Sequence, residues 1–290
     1  MTLTIQNGLL SLTVDTLGAQ MRSLKYKGTE YLWQGDPKYW DAQAPILFPF
    51  IARLTNDSYT YNGKLYPMSI HGFVASSEFA VAEQTDDVLV LELKSGEATL
   101  IQYPFDFTFR VVFTLKGDTL ETGYHVENRS DRIMPFGIGG HPGFKVPVGG
   151  NEAFEDYYLE FSRECWPDRL GFTPQVYLSG HDERYPLEDH RRIPLSHSLF
   201  DEDAIILKNM AREVSLRSRA SSHSVTVSFP KMPYLGFWHW PHTDAPYVCI
   251  EPWSSRPSRQ DVVEEFTCKS DLVQLDPGCE YHNTWTITLT

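Results

Sequence analysis

The sequence predicts an all-β fold, namely a large antiparallel sandwich or barrel with few short helices. Apolar and polar residues alternate with a period of two in many short segments, and turn-forming residues separate these segments. No window longer than about a dozen residues carries a stripe of apolar side chains at helical spacing. Phe, Tyr and Trp, which favour strands, make up 13% of the 290 residues. Many short strands separated by turns are typical of large antiparallel sandwiches and barrels.

The alternating segments extend from one end of the chain to the other, so both termini are predicted to be strands. In chain order they cover residues 2–6, 9–15, 88–94, 107–113, 119–127, 157–161, 213–217, 224–229 and 283–289. The Asn-Gly at 62–63 and the Lys-Gly-Asp at 116–118 are typical of tight hairpin turns between neighbouring strands. Two further segments, 38–42 and 259–266, are compatible with a short helical turn.

The chain is long enough for two domains, but large all-β folds of this length often form one. Residues 165–194 are rich in Pro and Gly, yet they still contain apolar side chains such as Trp166 and Phe172. We interpret this segment as an elaborate connection rather than a linker. The sequence therefore predicts one domain that covers residues 1–290.

The net charge of the chain is −13, which argues against nucleic acids and anionic membranes as partners because both favour clustered Lys and Arg. The N-terminus lacks the basic and apolar regions of a signal peptide, and no apolar stretch approaches the roughly 18 residues of a membrane span. The four cysteines, at positions 165, 249, 268 and 279, fit neither a CxxC metal site nor a disulfide framework. These features predict a reduced, cytoplasmic protein.

Two motifs place proton-transferring side chains next to rigid, turn-forming residues. His141 lies in the Gly-Gly-His-Pro-Gly-Phe motif at 139–144, which suits a backbone that turns sharply and approaches another group closely. Glu251 follows the apolar run 247–250 and precedes Pro252, so it is predicted at the end of a buried strand. A buried carboxylate needs a partner. We hypothesise that His141 and Glu251 face one cavity as a general acid and a general base.

Other residues have the character of ligand-binding groups. Arg53 follows the apolar run 45–52 and needs acceptors, which either a structural ion pair or the hydroxyls of a ligand supply. His71 precedes a glycine and is open to a structural or a ligand-binding role. Core packing does not explain the consecutive Phe-Trp-His-Trp at 237–240, because alternate side chains of a strand face away from the core. Trp238 therefore indicates an aromatic surface for the C–H face of a sugar.

The sequence gives little support to metal, nucleotide or nucleophile chemistry. His71, His141, His239, His242 and Glu251 are possible metal ligands, but no HxH or HExxH pair sets a ligand geometry. There is no GxSxG nucleophile elbow and no phosphate-binding glycine loop. We therefore expect neither a metal nor an organic cofactor.

Four motifs taken together carry a family resemblance. With Arg53, the His-Gly-Phe at 71–73, the His-Pro at 141–142 and the Glu-Pro-Trp at 251–253, the chain resembles the aldose 1-epimerase (galactose mutarotase) family, and more narrowly its LacX-like branch. The resemblance covers nearly the whole chain with the motifs in the same order. It implies a galactose mutarotase-like β-supersandwich and the interconversion of the α and β anomers of an aldose.

By this resemblance the general acid is His141 and the general base is Glu251, while Arg53 and His71 hold sugar hydroxyls. A further aspartate of the family falls within residues 201–203, and we assign it to Asp203. Members that handle free galactose carry an aromatic-containing motif after the His-Pro. The chain departs from them, because it has Gly-Phe at that place. The preferred sugar therefore does not follow from the resemblance.

The expected chemistry is the opening and closing of a pyranose ring. A proton must leave the anomeric hydroxyl while another reaches the ring oxygen. Glu251 as a carboxylate and His141 as an imidazolium suit these two roles. An ionised Glu251 is expected to hold the pKa of His141 near or above its reference of about 6.5.

Three alternatives remain open. A non-catalytic sugar-binding protein on the same fold would not need both His141 and Glu251. A glycoside-processing enzyme needs a second carboxylate, for which Asp203 is a candidate. A phosphosugar epimerase needs clustered cations, for which Arg256 and Arg259 are candidates. We expect a small-molecule sugar as partner, no nucleic acid or membrane, and a monomer or weak homodimer.

Overall fold

The computed structural model of the protein describes residues 1–290 and consists mainly of short strands. The first fourteen are β1 (Thr2–Gln6), β2 (Leu10–Asp15), β3 (Gln20–Tyr26), β4 (Thr29–Glu30), β5 (Ile46–Leu47), β6 (Ser58–Tyr61), β7 (Lys64–Pro67), β8 (Ala80–Gln84), β9 (Val88–Lys94), β10 (Phe107–Lys116), β11 (Thr119–Asn128), β12 (Met134–Phe136), β13 (Gly139–Gly140) and β14 (Gly143–Lys145). The others are β15 (Tyr157–Phe161), β16 (Asp168–Arg169), β17 (Glu183–Arg184), β18 (Arg192–Pro194), β19 (Ile205–Lys208), β20 (Glu213–Ser218), β21 (Ser224–Ser228), β22 (Tyr234–Trp238), β23 (Tyr247–Trp253), β24 (Val273–Leu275) and β25 (Glu280–Leu289).

The helices are few and short. They are α1 (Glu97–Leu100) and four 3₁₀ turns at Thr55–Asp57, Val74–Ser76, Phe154–Asp156 and His197–Phe200. None of them has the length and apolar character that crossing a membrane requires.

Two large sheets dominate the architecture. The nine-stranded sheet has the order β18-β15-β20-β21-β25-β11-β10-β9-β8. The eight-stranded sheet has the order β17-β16-β19-β22-β23-β13-β5, with β14 also paired to β23. A four-stranded sheet, β1-β2-β3-β4, and the pairs β6-β7 and β12-β24 complete the fold. All strand pairs are antiparallel, so the predicted all-β fold of large antiparallel sheets is confirmed.

Local sequence explains many of the strands. β2 and β9 bury every second residue, as the alternation of apolar and polar residues predicts. Asn62 and Gly63 have φ values of 50° and 74°, which suit the tight turn that joins β6 to β7. The predicted hairpin at 116–118 joins β10 to β11. Strands at both termini are confirmed as well.

The two predicted helical turns each overlap a hydrogen-bonded turn, and neither forms a helix. The one at 38–42 overlaps a hydrogen-bonded turn at 37–39. The one at 259–266 overlaps a hydrogen-bonded turn at 260–261, where the N–H of Val262 donates to the carbonyl of Arg259, but it contains no helix. Two residues from distant parts of the chain, Thr60 and Leu178, form β-bridges with this stretch, so part of its backbone pairs across the fold.

A core of 68 buried apolar residues joins the two large sheets. The ring of Phe48, directly after β5, lies 5.5 Å from the ring of Phe107 and 4.9 Å from that of Phe109, both in β10. In β13, a Cβ atom added at Gly140 would lie 2.8 Å from the side chain of Trp285 in β25. The sheets therefore pack closely on each other, and glycine at position 140 permits the close approach.

The segment at 165–194 connects the edges of the two large sheets. It contributes β16 and β17 to the eight-stranded sheet and β18 to the nine-stranded sheet. Its apolar residues are partly retained in the core, where Leu170 is 1% exposed. This agrees with the interpretation of the segment as an elaborate connection, while one domain over residues 1–290 stays a prediction.

Candidate active site

The register of β23 brings His141 and Glu251 together. β13 and β14 both pair with β23, and the register that sets Gly143 opposite Cys249 continues unshifted through Gly139. Counting along the paired strands from either of these positions places His141 directly opposite Glu251. Opposed residues on one face of an antiparallel pair have Cβ atoms about 4.5–5.5 Å apart, so backbone pairing alone brings these two side chains into contact.

The resulting pair is close and buried. Nε2 of His141 lies 3.3 Å from Oε2 of Glu251, and the two side chains are 10% and 1% exposed. Gly236 of β22 is the other cross-strand neighbour of Glu251, and the lack of a side chain there leaves room for the carboxyl group. Nδ1 of His141 and Oε2 of Glu251 have no hydrogen-bond partner within the protein. Both groups are therefore available to a ligand.

Two details of these motifs differ from the prediction. Glu251 does not end its strand, because β23 continues through Pro252 and all of its residues are buried. Proline is tolerated there because the neighbouring ladder is already interrupted between β13 and β14. The backbone around His141 does not turn sharply, since it continues along β23. The predicted close approach is correct: a Cβ atom added at Gly143 would lie 3.1 Å from Trp40.

Burial dominates the electrostatics of the pair. It lowers the pKa of His141 well below its usual value, and the neighbouring His71 adds to this effect. It raises the pKa of Glu251 well above its usual range, with Trp253 opposing the rise and the charge of Asp203 adding to it. The expectation that the pKa of His141 would stay near or above about 6.5 is therefore wrong. Removing both groups from water disfavours their charged forms, and this cost exceeds the stabilisation that the attraction between the two charges provides.

His71 and Arg53 lie beside the pair. The ring centroids of His71 and His141 are 5.6 Å apart. The backbone N–H of Ala52 donates to Nδ1 of His71 over 3.1 Å, so the neutral ring carries its proton on Nε2 and can donate it to a ligand. Burial and the charge of Arg53 lower the pKa of His71 to about 4. The Arg53 side chain forms no ion pair within the protein, which favours the ligand-binding interpretation.

All six predicted site residues line one cleft of about 600 Å³. They are Arg53, His71, His141, Asp203, Trp238 and Glu251. The cleft also contains Trp40, whose ring centroid is 5.0 Å from that of His141 and 5.5 Å from that of Trp238. Sequence reasoning missed Trp40, although an aromatic side chain in the polar segment 36–42 was a usable signal. The volume falls in the range of small-molecule sites.

The aromatic run at 237–240 divides between the core and the cleft. Phe237 and His239 are fully buried, whereas Trp238 lines the cleft and Trp240 lies at its edge with 47% exposure. This division follows the period of a strand, in which alternate side chains face opposite sides. His239 packs on Phe200 at 4.5 Å and does not line the cleft, so it has a structural role.

Three groups in the site have atoms that bind metals. Donor atoms of His141, Cys249 and Glu251 all lie within 4.8 Å of one another, without a fourth such group. Burial and the neighbouring Glu251 raise the pKa of the Cys249 thiol well above its usual value. A thiol must lose its proton to bind a metal, so these residues suit acid–base chemistry better than a tetrahedral zinc site.

Backbone strain is concentrated around the cleft. Five lining residues other than glycine have positive φ, namely Ala52 (59°), His71 (64°), Val176 (64°), Asp203 (75°) and His242 (56°). Such conformations are unfavourable outside glycine, and most of all for a β-branched residue such as Val176. They persist where the surrounding structure holds them, and they cluster at functional sites.

The cations considered for phosphate binding are engaged elsewhere. Arg259 pairs with Glu264 over 3.1 Å, and Arg256 pairs with Asp271 over 3.6 Å. Neither of the two lines the cleft, where Arg53 is the one Arg or Lys.

Comparisons with known proteins agree with this geometry. A family profile described as Aldose 1-epimerase matches residues 1–284. The chain is 39% identical over 263 residues to Protein LacX, plasmid, from Lactococcus lactis subsp. lactis, with 88% of each chain covered. A galactose mutarotase related enzyme from Lactobacillus acidophilus has a similar structure, with a TM-score of 0.95, 35% identity, and coverage of 100% of this chain and 97% of the other. A galactose mutarotase-like protein from Lactobacillus casei gives a TM-score of 0.93 and 31% identity, with 100% of both chains covered.

Proposed function

The chain belongs to the aldose 1-epimerase family, and we propose on that basis that it is an isomerase that interconverts the α and β anomers of an aldose. One observation carries the proposal. His141 and Glu251, a proton donor and a proton acceptor, are buried 3.3 Å apart in a cleft that fits a small ligand. The family resemblance inferred from the motifs is confirmed, while the mechanism and the substrate below are our proposal.

In the proposed reaction the sugar binds with its anomeric carbon and ring oxygen beside the pair. Glu251 accepts the proton of the anomeric hydroxyl, His141 donates a proton to the ring oxygen, and the C1–O5 bond breaks. Rotation about C1–C2 then presents the other face of the aldehyde. The two proton transfers run in reverse, and the ring closes as the other anomer.

The pair carries its protons through the whole cycle. Both residues are charged before ring opening and both are neutral after it, so no proton has to come from solvent. Burial favours the neutral form of each residue, which is the form that accompanies the open-chain sugar. In the complex with the closed ring, hydrogen bonds from the sugar hydroxyls to the Glu251 carboxylate stabilise the charged form.

The rest of the cleft supplies binding groups for the sugar. Nε2 of His71 and the guanidinium of Arg53 are donors for hydroxyl oxygens, and the Asp203 carboxylate is an acceptor. Trp238 and Trp40 present aromatic surfaces to the C–H groups of the ring. No step of the proposed reaction uses a metal or an organic cofactor.

The structure weighs against two of the alternatives. A phosphosugar would require cations in the cleft beyond Arg53, and Arg256 and Arg259 are paired elsewhere. A non-catalytic sugar-binding protein has no use for a buried pair in which Nδ1 of His141 and Oε2 of Glu251 lack hydrogen-bond partners within the protein, since such atoms reduce stability.

The direct test is polarimetry with anomerically pure sugars that are freshly dissolved, including α-D-glucose and α-D-galactose. The protein is expected to accelerate the change in rotation in the presence of EDTA, while a Glu251→Gln variant at the same concentration gives the uncatalysed rate. If EDTA abolishes the activity and zinc restores it, the metal-free mechanism is wrong. If no sugar in the panel responds, the proposed function is wrong.

A further inference from the structure

Trp40 lies against the proposed general acid, and we infer that its ring positions His141 and stabilises the imidazolium through a cation–π interaction. The inference rests on the proposed function and adds a positioning residue to the reaction. The indole ring takes no part in proton transfer and acts through His141. In the proposed complex with the closed sugar ring His141 is charged, a state that burial disfavours.

The rings of Trp40 and His141 form an offset stack. Their centroids are 5.0 Å apart, and their planes differ by 34°. Rings so close and so nearly parallel cannot meet edge to edge, so part of the indole face covers the imidazole. The imidazole is thus within the distance of about 6 Å at which the negative face of an aromatic ring attracts a cation, and Trp is the strongest partner for this interaction.

Further contacts hold the indole in this position. The ring of Trp40 is nearly parallel to that of Tyr247, at 5.7 Å and 28°, and Tyr247 is nearly parallel to Trp33, at 4.7 Å and 29°. Nε1 of Trp33 donates to the carbonyl of Trp40 over 2.9 Å. Gly143 leaves room for the ring, since a Cβ atom there would lie 3.1 Å from it. The protein itself therefore holds the indole against His141, and little further ordering is needed for the interaction.

Six titratable or charged groups lie near His141 or line its cleft, and few of them favour its charged form. They are Arg53, His71, Asp203, His242, Cys249 and Glu251. Arg53 is a cation, and His71 helps to lower the pKa of His141. The Cys249 thiol keeps its proton, because burial raises its pKa well above the usual value. Besides the two carboxylates, the indole face is the group that attracts the imidazolium more than the neutral ring.

The size of the effect follows from the strength of such contacts. A cation–π contact with a partly desolvated cation changes the equilibrium between the charged and neutral forms by about 2- to 30-fold. The reaction needs the charged form of His141, so the rate depends on this equilibrium. The dependence is greatest on the alkaline side of the pH profile, where the unprotonated ring predominates and the imidazolium is scarce.

Fluorinated tryptophans at position 40 test the inference, because fluorine withdraws electron density from the ring face and hardly changes the shape of the ring. Mono-, di- and trifluorotryptophan are inserted by nonsense suppression. Exchange NMR between the two anomers then gives kcat and KM for glucose and galactose. On the alkaline side of the profile we expect kcat to fall stepwise along the series, by about 2- to 30-fold in total, while KM stays within about twofold.

Two comparisons make the test specific. The same fluorinated series at Trp166, which is 54% exposed and does not line the cleft, is the matched control and is expected to leave kcat unchanged. Trp40→Phe keeps a smaller aromatic face and Trp40→Leu keeps none, so kcat is expected to fall in that order. Thermal unfolding shows whether each variant is folded, and the fluorinated series decides the question if Trp40→Leu is not.

The outcomes separate this inference from the proposed function. A kcat that stays constant along the fluorinated series overturns the role of Trp40 and leaves the epimerase intact. A rise in KM at constant kcat also overturns it, because Trp40 then only holds the sugar. Absence of exchange with every sugar in the panel overturns the proposed function itself.

Discussion

At the scale of single residues, burial shifts the pKa values of His141 and Glu251 more than the attraction between the two residues does. Each is most stable in its neutral form. In the proposed reaction both exchange protons with the same ligand. A group that is unfavourable as an ion without ligand can still act as an ion when ligand hydroxyls replace the water it lost. Binding and protonation are therefore linked in this site.

The division of labour between the two residues is testable by substitution. Glu251→Gln and His141→Asn each remove one proton-transferring group but keep a polar side chain. Each is expected to lower kcat by about 10²–10⁴-fold, and the double variant is expected to be little slower, because residues that act as a unit are not additive. Steady-state mutarotation assays on the three variants measure this.

Thermal unfolding and sugar affinity of the same variants are the controls. If either residue is only structural, melting temperature and affinity will fall in step with activity. A folded Glu251→Gln protein with full activity would exclude Glu251 as the base.

The titration of His71 gives a second prediction at this scale. Its pKa is about 4 in the folded protein because of burial and the charge of Arg53, against 6.5 for an ordinary histidine. The unfolded chain therefore binds more protons between these values, and the contribution of His71 to stability, complete above pH 6.5, is lost as the pH falls toward 4. NMR titration of the ring is expected to give a midpoint near 4.

Urea unfolding at pH 7 and pH 5 checks the linkage. Over this interval the free energy of unfolding is expected to fall more in the wild-type protein than in His71→Asn. The reason is that the unfolded wild-type chain binds about one more proton at His71 than the folded protein does. Equal losses in the two proteins would mean that His71 titrates normally in the folded state.

The candidate site was largely predictable from residue types, and its electrostatics were not. His141, Glu251 and Arg53 stand in motifs that signal ligand contact, and the structure places them in one cleft. The pKa directions of the pair depend on the depth of burial, which no local motif encodes. For Trp40, the polar segment around it signals a role outside the core, but its contact with His141 depends on distant packing.

At the scale of elements, glycines decide how closely segments approach one another. Gly72 has a φ of 80°, and a Cβ atom there would lie 2.1 Å from the carbonyl oxygen of Phe48. Gly63 has a φ of 74°, but nothing lies within 4 Å of the same added atom. The two positions therefore share one conformational requirement and differ in the space around them.

This difference predicts the effects of two matched substitutions. Gly63→Ala is expected to cost about 1–2 kcal/mol of unfolding free energy for the left-handed conformation alone. Gly72→Ala is expected to cost about 1–3 kcal/mol more through overpacking, and to lower activity because it displaces the adjacent His71. Chemical denaturation and mutarotation assays measure both effects. Similar costs at the two positions would show that the contact with Phe48 is unimportant.

Strands with a clear alternation were more predictable than the irregular segment at 259–266. The alternation in β2 and β9 is a local property of the sequence, and the strands formed where it predicted them. The stretch at 259–266 has a compatible local pattern, but its backbone pairs with Thr60 and Leu178. Pairing across such sequence distances overrides local propensity, so a reading of the chain in short windows could not identify it.

At the scale of the whole molecule, Phe48 connects the two large sheets. It is fully buried, and the rings of Phe73, Tyr103, Phe107, Phe109 and Phe136 surround it at centroid distances of 4.9–6.3 Å. The same segment carries Arg53 a few residues further on. The packing around Phe48 therefore contributes both to stability and to the position of the segment that carries Arg53.

Phe48→Ala is expected to reduce the free energy of unfolding by about 3–5 kcal/mol, because it leaves a cavity between the sheets. Leu65→Ala, at a residue that is 60% exposed, is the control and is expected to change it by less than about 0.5 kcal/mol. Calorimetry on the same proteins also tests the one-domain prediction, for which a single cooperative transition is expected. Two separate transitions would contradict it.

The pairing of β13 and β14 with β23 has a consequence for how such proteins can diversify. His141 and Glu251 are held opposite each other by an unshifted ladder, so inserting or deleting one residue within either partner would turn one side chain to the opposite face. Length changes are thus tolerable only outside these strands. The loop between β16 and β17 lies outside this ladder, and its Phe172 and Val176 line the cleft, so changes there can alter ligand preference while His141 and Glu251 keep their places.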